Sequence, residues 1–188
     1  REIEVSVFGW VYLVENNNTK KKYAVKIIKH TENENYEKYK LNINREISIM
    51  IQCQHPTIVK IHGYSLTDIF GNDNVTIFMK YEKKGSLFHY LQKIRNNTVN
   101  DYNNTIGQII LVGIARGMMH LHQNQVVHRD LKPGNILLDD HLHPHIIDFG
   151  QSKFNPNDQL MQQSQCFGTP LYLAPECIEQ DLYNAKAD

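Results

Sequence analysis

Hydrophobic and polar positions alternate along the first part of the chain and then change period. The runs IEVSV, WVYLV and YAVKIIK carry β-branched and aromatic residues and predict strands, and the polar stretch ENNNTKK between the last two predicts a solvated turn. A charged run, TENENYEKYKLNINREISIMIQ, follows; its second half takes a helical period, with Ile43, Ile47, Met50 and Ile51 on one face. TIVKIHGYSL and VTIFMKY predict two more strands around the polar loop TDIFGNDN. Beyond them GSLFHYLQKI predicts a short helix, RNNTVNDYNN an exposed loop and TIGQIILVGIARGMMHLHQ a longer helix. This order implies an α+β chain of two lobes: residues 1–80, strand-rich with one helix, and residues 81–188, mainly helical. Their boundary falls near Lys80 to Gly85.

Several polar residues interrupt this apolar frame. Glu46 lies on the apolar stripe of its helix, and Lys26 alternates with Ala24 and Ile28 along one face of an apolar strand. An ionised group facing a core costs several kcal/mol unless it is paired, so the two residues are expected to pair across a cleft. In VVHRDLKPGNILL a carboxylate, an ammonium and a carboxamide (Asp130, Lys132 and Asn135) stand within six positions between apolar runs. HIIDFG ends another short apolar run in Asp148, which can return beside Asn135 on one edge of a hairpin. A carboxylate and a carboxamide oxygen side by side are hard ligands suited to magnesium.

Composition narrows the classes. The chain has 188 residues, enough to bury a sizeable core, and its 41% hydrophobic and 21% charged content is that of a globular protein. Twenty basic residues balance twenty acidic ones, so there is no bulk electrostatic footprint for nucleic acid or anionic lipid. The apolar run IILVGIA is too short to span a bilayer. Cys53, Cys166 and Cys177 fit neither a disulfide scaffold nor metal-ligand spacing, which implies a reducing, cytoplasmic setting. HLHPH, with His141, His143 and His145 at alternate positions, reads as a turn rather than a metal site. The chain begins without methionine and stops in mid-pattern, as an excised piece of a longer protein does.

Together these segments resemble the eukaryotic-type protein kinases. YAVK resembles the strand-lysine motif, HRDLKPGN the catalytic loop, DFG the metal-binding motif and GTPLYLAPE the end of the activation segment. The resemblance covers the whole chain and about the front two thirds of the family's domain. It therefore implies a bilobal fold incomplete at its C-terminal end, and exposed apolar surface and low stability for the isolated piece. It implies ATP-dependent transfer of phosphate to Ser or Thr hydroxyls of a protein substrate, with ATP and Mg2+ as cofactors. Lys26, held by Glu46, would contact the α and β phosphates of ATP. Asp130 would accept or orient the proton of the substrate hydroxyl, Lys132 would stabilise the transferring phosphoryl group, and Asn135 and Asp148 would hold magnesium.

Further roles follow from the same resemblance. Val11 and Ala24 would roof the adenine and Leu137 would floor it. Met79 would control access behind the base, and Lys80, Tyr81 and Glu82 would form the hinge. Met50, Ile61, His128 and Phe149 would stack to couple helix position to activity. Lys132 resembles the Ser/Thr branch, and REISIMIQCQHPTIVKIHGY has something of its tyrosine-kinase-like group. Arg129 resembles the arginine that pairs with a phosphate added by an upstream kinase, with Ser164 as the acceptor and Ser152 and Thr169 behind it. Glu176 resembles a glutamate that pairs with an arginine beyond Asp188, and Asp188 itself resembles the buried aspartate that anchors the catalytic loop. Gly134 replaces an acidic residue that reads basic substrates in some members. The phosphate-covering loop departs from Gly-x-Gly-x-x-Gly-x-Val: Gly9 and Val11 align, but Glu4 and Ser6 stand at the first two glycines. That departure sustains an alternative, a pseudokinase scaffold that binds partners without transferring phosphate.

Overall fold

A computed structural model of the chain describes residues 1–6, 9–30, 35–99, 101–162, 168–179 and 182–188, and of residues 4–6 the backbone only. Five strands form one antiparallel sheet: β1 (Glu2–Ser6), β2 (Gly9–Glu15), β3 (Lys22–Ile28), β4 (Ile61–Ser65) and β5 (Thr76–Lys80). Their order is β1-β2-β3-β5-β4, so β3, which carries Lys26, is central and paired on both edges.

Helix α1 (Tyr36–Gln52) packs on this sheet. Its stripe of Tyr39, Ile43, Glu46, Ile47 and Met50 is buried, and Ile28 from β3 joins the apolar members in one core. Tyr39 ties the two elements by donating its hydroxyl to the Ile28 carbonyl at 3.1 Å. The helix starts earlier than its apolar period suggests. The Asn35 side chain accepts hydrogen bonds from the Glu37 and Lys38 amides, and this cap carries the charged residues 36–42 into the helix. Ile51 is 49% exposed and leaves the stripe, whereas Ile49 is fully buried.

β4 is shorter than the sequence pattern suggests. Segment 57–59 hydrogen-bonds elsewhere: the Val59 amide donates to the Ile146 carbonyl and the Ile146 amide to the Thr57 carbonyl. Ile58 and Val59 are thus buried against the second half of the chain rather than in the sheet.

That second half contains α2 (Leu87–Arg95) and α3 (Asn104–Gln123), then β6 (Val126–Val127), β7 (Ile136–Leu138), β8 (Pro144–Ile146), β9 (Lys153–Phe154), β10 (Met161–Gln162), α4 (Pro175–Glu179) and β11 (Leu182–Tyr183). β6 pairs with β9, β7 with β8 and β10 with β11. α3 lies close on β8: a Cβ at Gly113 would stand 2.4 Å from Pro144 Cγ, and one at Gly117 would stand 2.6 Å from Ile146 Cδ1. No helix among the described residues is long and apolar enough to cross a membrane.

Candidate active site

The upper wall is set by strand register. Lys26 stands opposite Val11 of β2 and Ile77 of β5, and Ala24 opposite Leu13 and Met79, so Val11, Ala24, Lys26 and Met79 share a face. Ser6 pairs with Gly9 and Glu4 with Val11, which puts both non-glycine residues in strand β1 beside β2. Gly9 has φ +143°, and a Cβ there would lie 2.0 Å from the Ile27 carbonyl oxygen. The one glycine kept from the phosphate-covering pattern is thus required by the approach of β2 to β3, whatever it does for a ligand.

Beneath this wall, Lys26 Nζ donates to Glu46 Oε1 at 2.7 Å and to Asp148 Oδ1 at 2.9 Å. Burial works against the ammonium, but the two carboxylates outweigh it and raise its pKa. Burial likewise works against the Asp148 carboxylate, and the Lys26 ammonium outweighs it and lowers the pKa of that group. One strand, one helix and the segment after β8 therefore meet at a single charged contact, which requires α1 to sit close against the sheet.

The connector from β5 to α2 lies against β7, where the Leu138 amide donates to the Gly85 carbonyl and Ser86 pairs with Leu137. This places Gly85 and Ser86, just after Tyr81 and Glu82, beside half-buried Leu137. The Glu82 side chain is buried, with Oε1 2.7 Å from Lys80 Nζ and 3.5 Å from His145 Nε2. A contribution of Glu82 to a bound base is therefore confined to its backbone.

Residues 128–135 form the loop between β6 and β7 that carries His128, Arg129, Asp130, Lys132 and Asn135. The Asp188 carboxylate accepts the amide hydrogens of His128 and Arg129, both at 2.7 Å, and lies 3.0 Å from His122 Nε2. These bonds hold Arg129 in the left-handed region, at φ 69°. His128 Nε2 meets the Ile147 carbonyl at 3.0 Å and Nδ1 receives the Asp130 amide at 3.3 Å, a pattern satisfied by a neutral imidazole protonated on Nε2. Its ring packs edge-on against Phe149, with centroids 5.4 Å apart, and both side chains are fully buried together with Met50.

Asp130 is the hub. Its Oδ2 accepts from Lys132 Nζ at 2.7 Å and from Asn135 Nδ2 at 2.9 Å, and its Oδ1 accepts from the Thr169 hydroxyl at 2.9 Å. The Thr169 hydroxyl in turn accepts from Lys132 Nζ at 2.7 Å. The close approach depends on Gly168, whose φ is +88° and whose Cβ would lie 2.8 Å from the Arg129 carbonyl oxygen. The structure shows where two of the candidate phosphate acceptors lie. Thr169 is held inside the Asp130 and Lys132 cluster, and Ser152 is fully buried with its hydroxyl donating to the His128 carbonyl. Ser164, the first candidate, lies outside the described residues, as do the side chains of Glu4 and Ser6.

Asn135 immediately precedes β7, and Asp148 follows β8 by two residues, so the hairpin brings them to one end. The Ile147 amide donates to the Asn135 carbonyl at 2.9 Å. Asn135 spends its amide hydrogens on the Asp130 carbonyl and carboxylate, and its carbonyl oxygen Oδ1 has no hydrogen-bond partner among the described residues. That oxygen and the Asp148 carboxylate are hard oxygen donors, and they fit a magnesium ion. The pattern His-Arg-Asp and the pair Asn135 and Asp148 were legible in the sequence. The part played by Thr169 was missed; its adjacency to Gly168, in a turn that must pack closely, was the available signal.

Comparison with known proteins shows the family. The family model described as protein kinase domain matches residues 6–188. Myosin light chain kinase A of Dictyostelium discoideum is 33% identical over 192 residues, covering 100% of this chain and 60% of that protein. The cysteine-rich receptor-like protein kinase 41 of Arabidopsis thaliana is 34% identical, covering 76% of this chain and 22% of that protein. The serine/threonine protein kinase OSK3 of Oryza sativa subsp. japonica is 34% identical, covering 97% and 34%. The chain belongs to the protein kinase family, and it spans 60% or less of the length of these relatives.

Proposed function

We propose that the protein transfers the γ-phosphate of ATP to Ser or Thr hydroxyls of protein substrates. The observation that carries this reading is the convergence of Lys132, Asn135 and Thr169 on the Asp130 carboxylate, at the foot of the cleft whose upper side holds the Lys26, Glu46 and Asp148 contact. Phosphoryl transfer needs little covalent help from the protein and much positioning and charge stabilisation. Lys26, fixed by Glu46, is placed to neutralise the phosphates next to the leaving group. Asp130 orients the acceptor hydroxyl and takes its proton as the oxygen bonds to phosphorus and the bond from phosphorus to the β-phosphate oxygen breaks, releasing ADP. Lys132 offsets charge on the phosphoryl oxygens. Asn135 and Asp148 would hold magnesium, which would supply electrostatic neutralisation of those oxygens. Ser/Thr acceptors are supported by Lys132 and by the naming of the rice relative as a serine/threonine kinase.

Regulation by phosphorylation at Ser164, added by an upstream kinase, is part of the same reading. Arg129 lies over the Tyr183 ring, with 5.3 Å from guanidinium to centroid, and donates to its hydroxyl. Burial and the neighbouring Arg129 and Arg45 guanidinium groups lower the pKa of Lys153, so three cations gather beside the catalytic loop, a setting suited to a phosphate. A cytoplasmic site of action completes the proposal.

The test is transfer of labelled γ-phosphate from MgATP to mixed Ser, Thr and Tyr acceptor peptides. Label on Ser and Thr, lost in Asp130→Asn, is the expected result. Folded protein that binds ATP but transfers nothing, even after treatment with activating kinases, overturns the reading.

A further inference from the structure

The surface between Asp130 and the start of α2 carries lysines and no free carboxylate. We propose that it selects acceptor peptides with Asp or Glu within about four residues of the hydroxyl that is phosphorylated. The inference rests on the phosphoryl-transfer reading for the place of that hydroxyl and goes beyond it in naming the class of peptide.

Asn135, which donates to Asp130 Oδ2, precedes Leu137 by two residues, and Leu137 pairs with Ser86, the cap of α2. α2 itself packs against the turn Pro133–Asn135. Two residues of strand and one step between strands together span about 12 Å at most, which an extended peptide covers in about four residues. A peptide whose hydroxyl reaches Asp130 and whose chain leaves toward α2 therefore passes the turn that holds Gly134 and comes beside Lys83 and Lys84. A Cβ at Gly134 would meet nothing nearer than the Lys132 side chain, at 3.7 Å, which is ordinary contact. Packing thus leaves room for a side chain on this turn, and the glycine leaves the nearby lysines without a carboxylate there.

Charge selects the peptide. Lys83 and Lys84 are both exposed, and Lys83 makes no ion pair among the described residues. Lys84 Nζ has Asp101 at 3.9 Å, and that carboxylate also accepts from the Tyr90 hydroxyl at 2.8 Å. Across residues 83–103, Lys83, Lys84, Lys93 and Arg95 stand against Asp101 alone, four cations to one carboxylate and a net +3. Residues 131–138 add Lys132, which Asp130 offsets, and no Asp or Glu. Glu82 is no counterweight, because it is buried and Lys80 Nζ lies 2.7 Å from it. α2, which carries Lys93 and Arg95 in its last turn, is only about 13 Å long, so at low salt the four fields overlap where the peptide lies.

The experiment uses fluorescent serine peptides of one parent sequence, with glutamates, glutamines or arginines placed first on one flank of the acceptor and then on the other. Transfer of labelled γ-phosphate and equilibrium binding by fluorescence polarisation are both measured, so selectivity is read even from protein that transfers nothing. On one flank, glutamates should raise kcat/KM about fivefold over glutamines, the size expected of two exposed ion pairs, and arginines should lower it. The preference should shrink at about 0.5 M salt. Lys83→Glu/Lys84→Glu should abolish it and Gly134→Glu should turn it toward arginine, each with transfer to the glutamine peptide within about twofold of wild type and an unchanged thermal midpoint. Equal use of the three peptides, a wild-type preference for arginine, or a glutamate preference that both variants keep overturns the proposal and leaves the phosphoryl-transfer reading standing. Glutamate-selective binding without transfer upholds the charged surface and overturns that reading. Protein that neither binds selectively nor transfers overturns both.

Discussion

Replacement of Thr169 by valine removes one hydroxyl and keeps the shape of the side chain. The hydroxyl accepts from Lys132 Nζ at 2.7 Å and donates to Asp130 Oδ1 at 2.9 Å, so the change deletes two charge-assisted hydrogen bonds. Such bonds contribute about 1.5–3 kcal/mol each. Lys132 and Asn135 still hold the other oxygen of Asp130, and Thr169 is only half-buried, so about 2 kcal/mol of positioning is a reasonable net loss. At 1.36 kcal/mol per decade, kcat falls about 30-fold. KM for ATP stays within about twofold, because the proposed mechanism assigns the nucleotide phosphates to Lys26, held by Glu46 and Asp148, and not to Thr169. Thr169→Ser restores most of the rate. Thr169→Glu sets a second carboxylate against Asp130 and abolishes transfer, whereas a regulatory acceptor would tolerate or gain from it. Steady-state transfer of labelled phosphate measures all three variants. A valine variant within twofold of wild type, or an active glutamate variant, refutes the reasoning.

Lys26→Met leaves the Glu46 and Asp148 carboxylates facing each other with little solvent, since the Glu46 side chain is 7% exposed. Loss of about 3 kcal/mol in denaturant unfolding is expected, and the Lys26→Met/Glu46→Gln double variant recovers part of it. Gly9→Ala drives a Cβ to 2.0 Å from the Ile27 oxygen at φ +143°, so the thermal midpoint drops by several degrees even without nucleotide. A drop seen only in ATP affinity would instead assign Gly9 to the ligand. Burial lowers the His145 pKa despite Glu82 and Asp139 nearby. A folded pKa below the unfolded value of about 6.5 means the unfolded state binds more protons. The contribution of His145 to stability is therefore complete above about pH 6.5 and declines as pH falls toward its folded value. Chemical denaturation of His145→Gln against wild type over that window should show a shallower acid loss in the variant.

Local chemistry made much of this protein legible in its sequence. Alternation gave β2, β3 and β5, and the helical period gave α3, because one-sided burial imposes periods of two and 3.6 on any chain. The forced pairing of Lys26 with Glu46 could also be read there, since a carboxylate on an apolar stripe and an ammonium in an apolar strand both need a partner. What depends on distant segments could not. Segment 57–59 has strand character, yet it bonds to Ile146 in the second lobe because that is where its amides find partners. Asn35 starts α1 early through a side-chain cap that periodicity does not register. Thr169 lies far along the chain from Asp130, and its place on that carboxylate is decided by the turn at Gly168. Glu82 stands in the hinge, but tertiary packing turns its side chain toward His145 and away from duty as a ligand contact. The sequence alone determined which chemical groups this protein owns and the elements that carry them. Only the tertiary structure decided which groups touch, because hydrogen bonds and ion pairs act over about 3 Å and depend on how elements far apart in sequence come to rest.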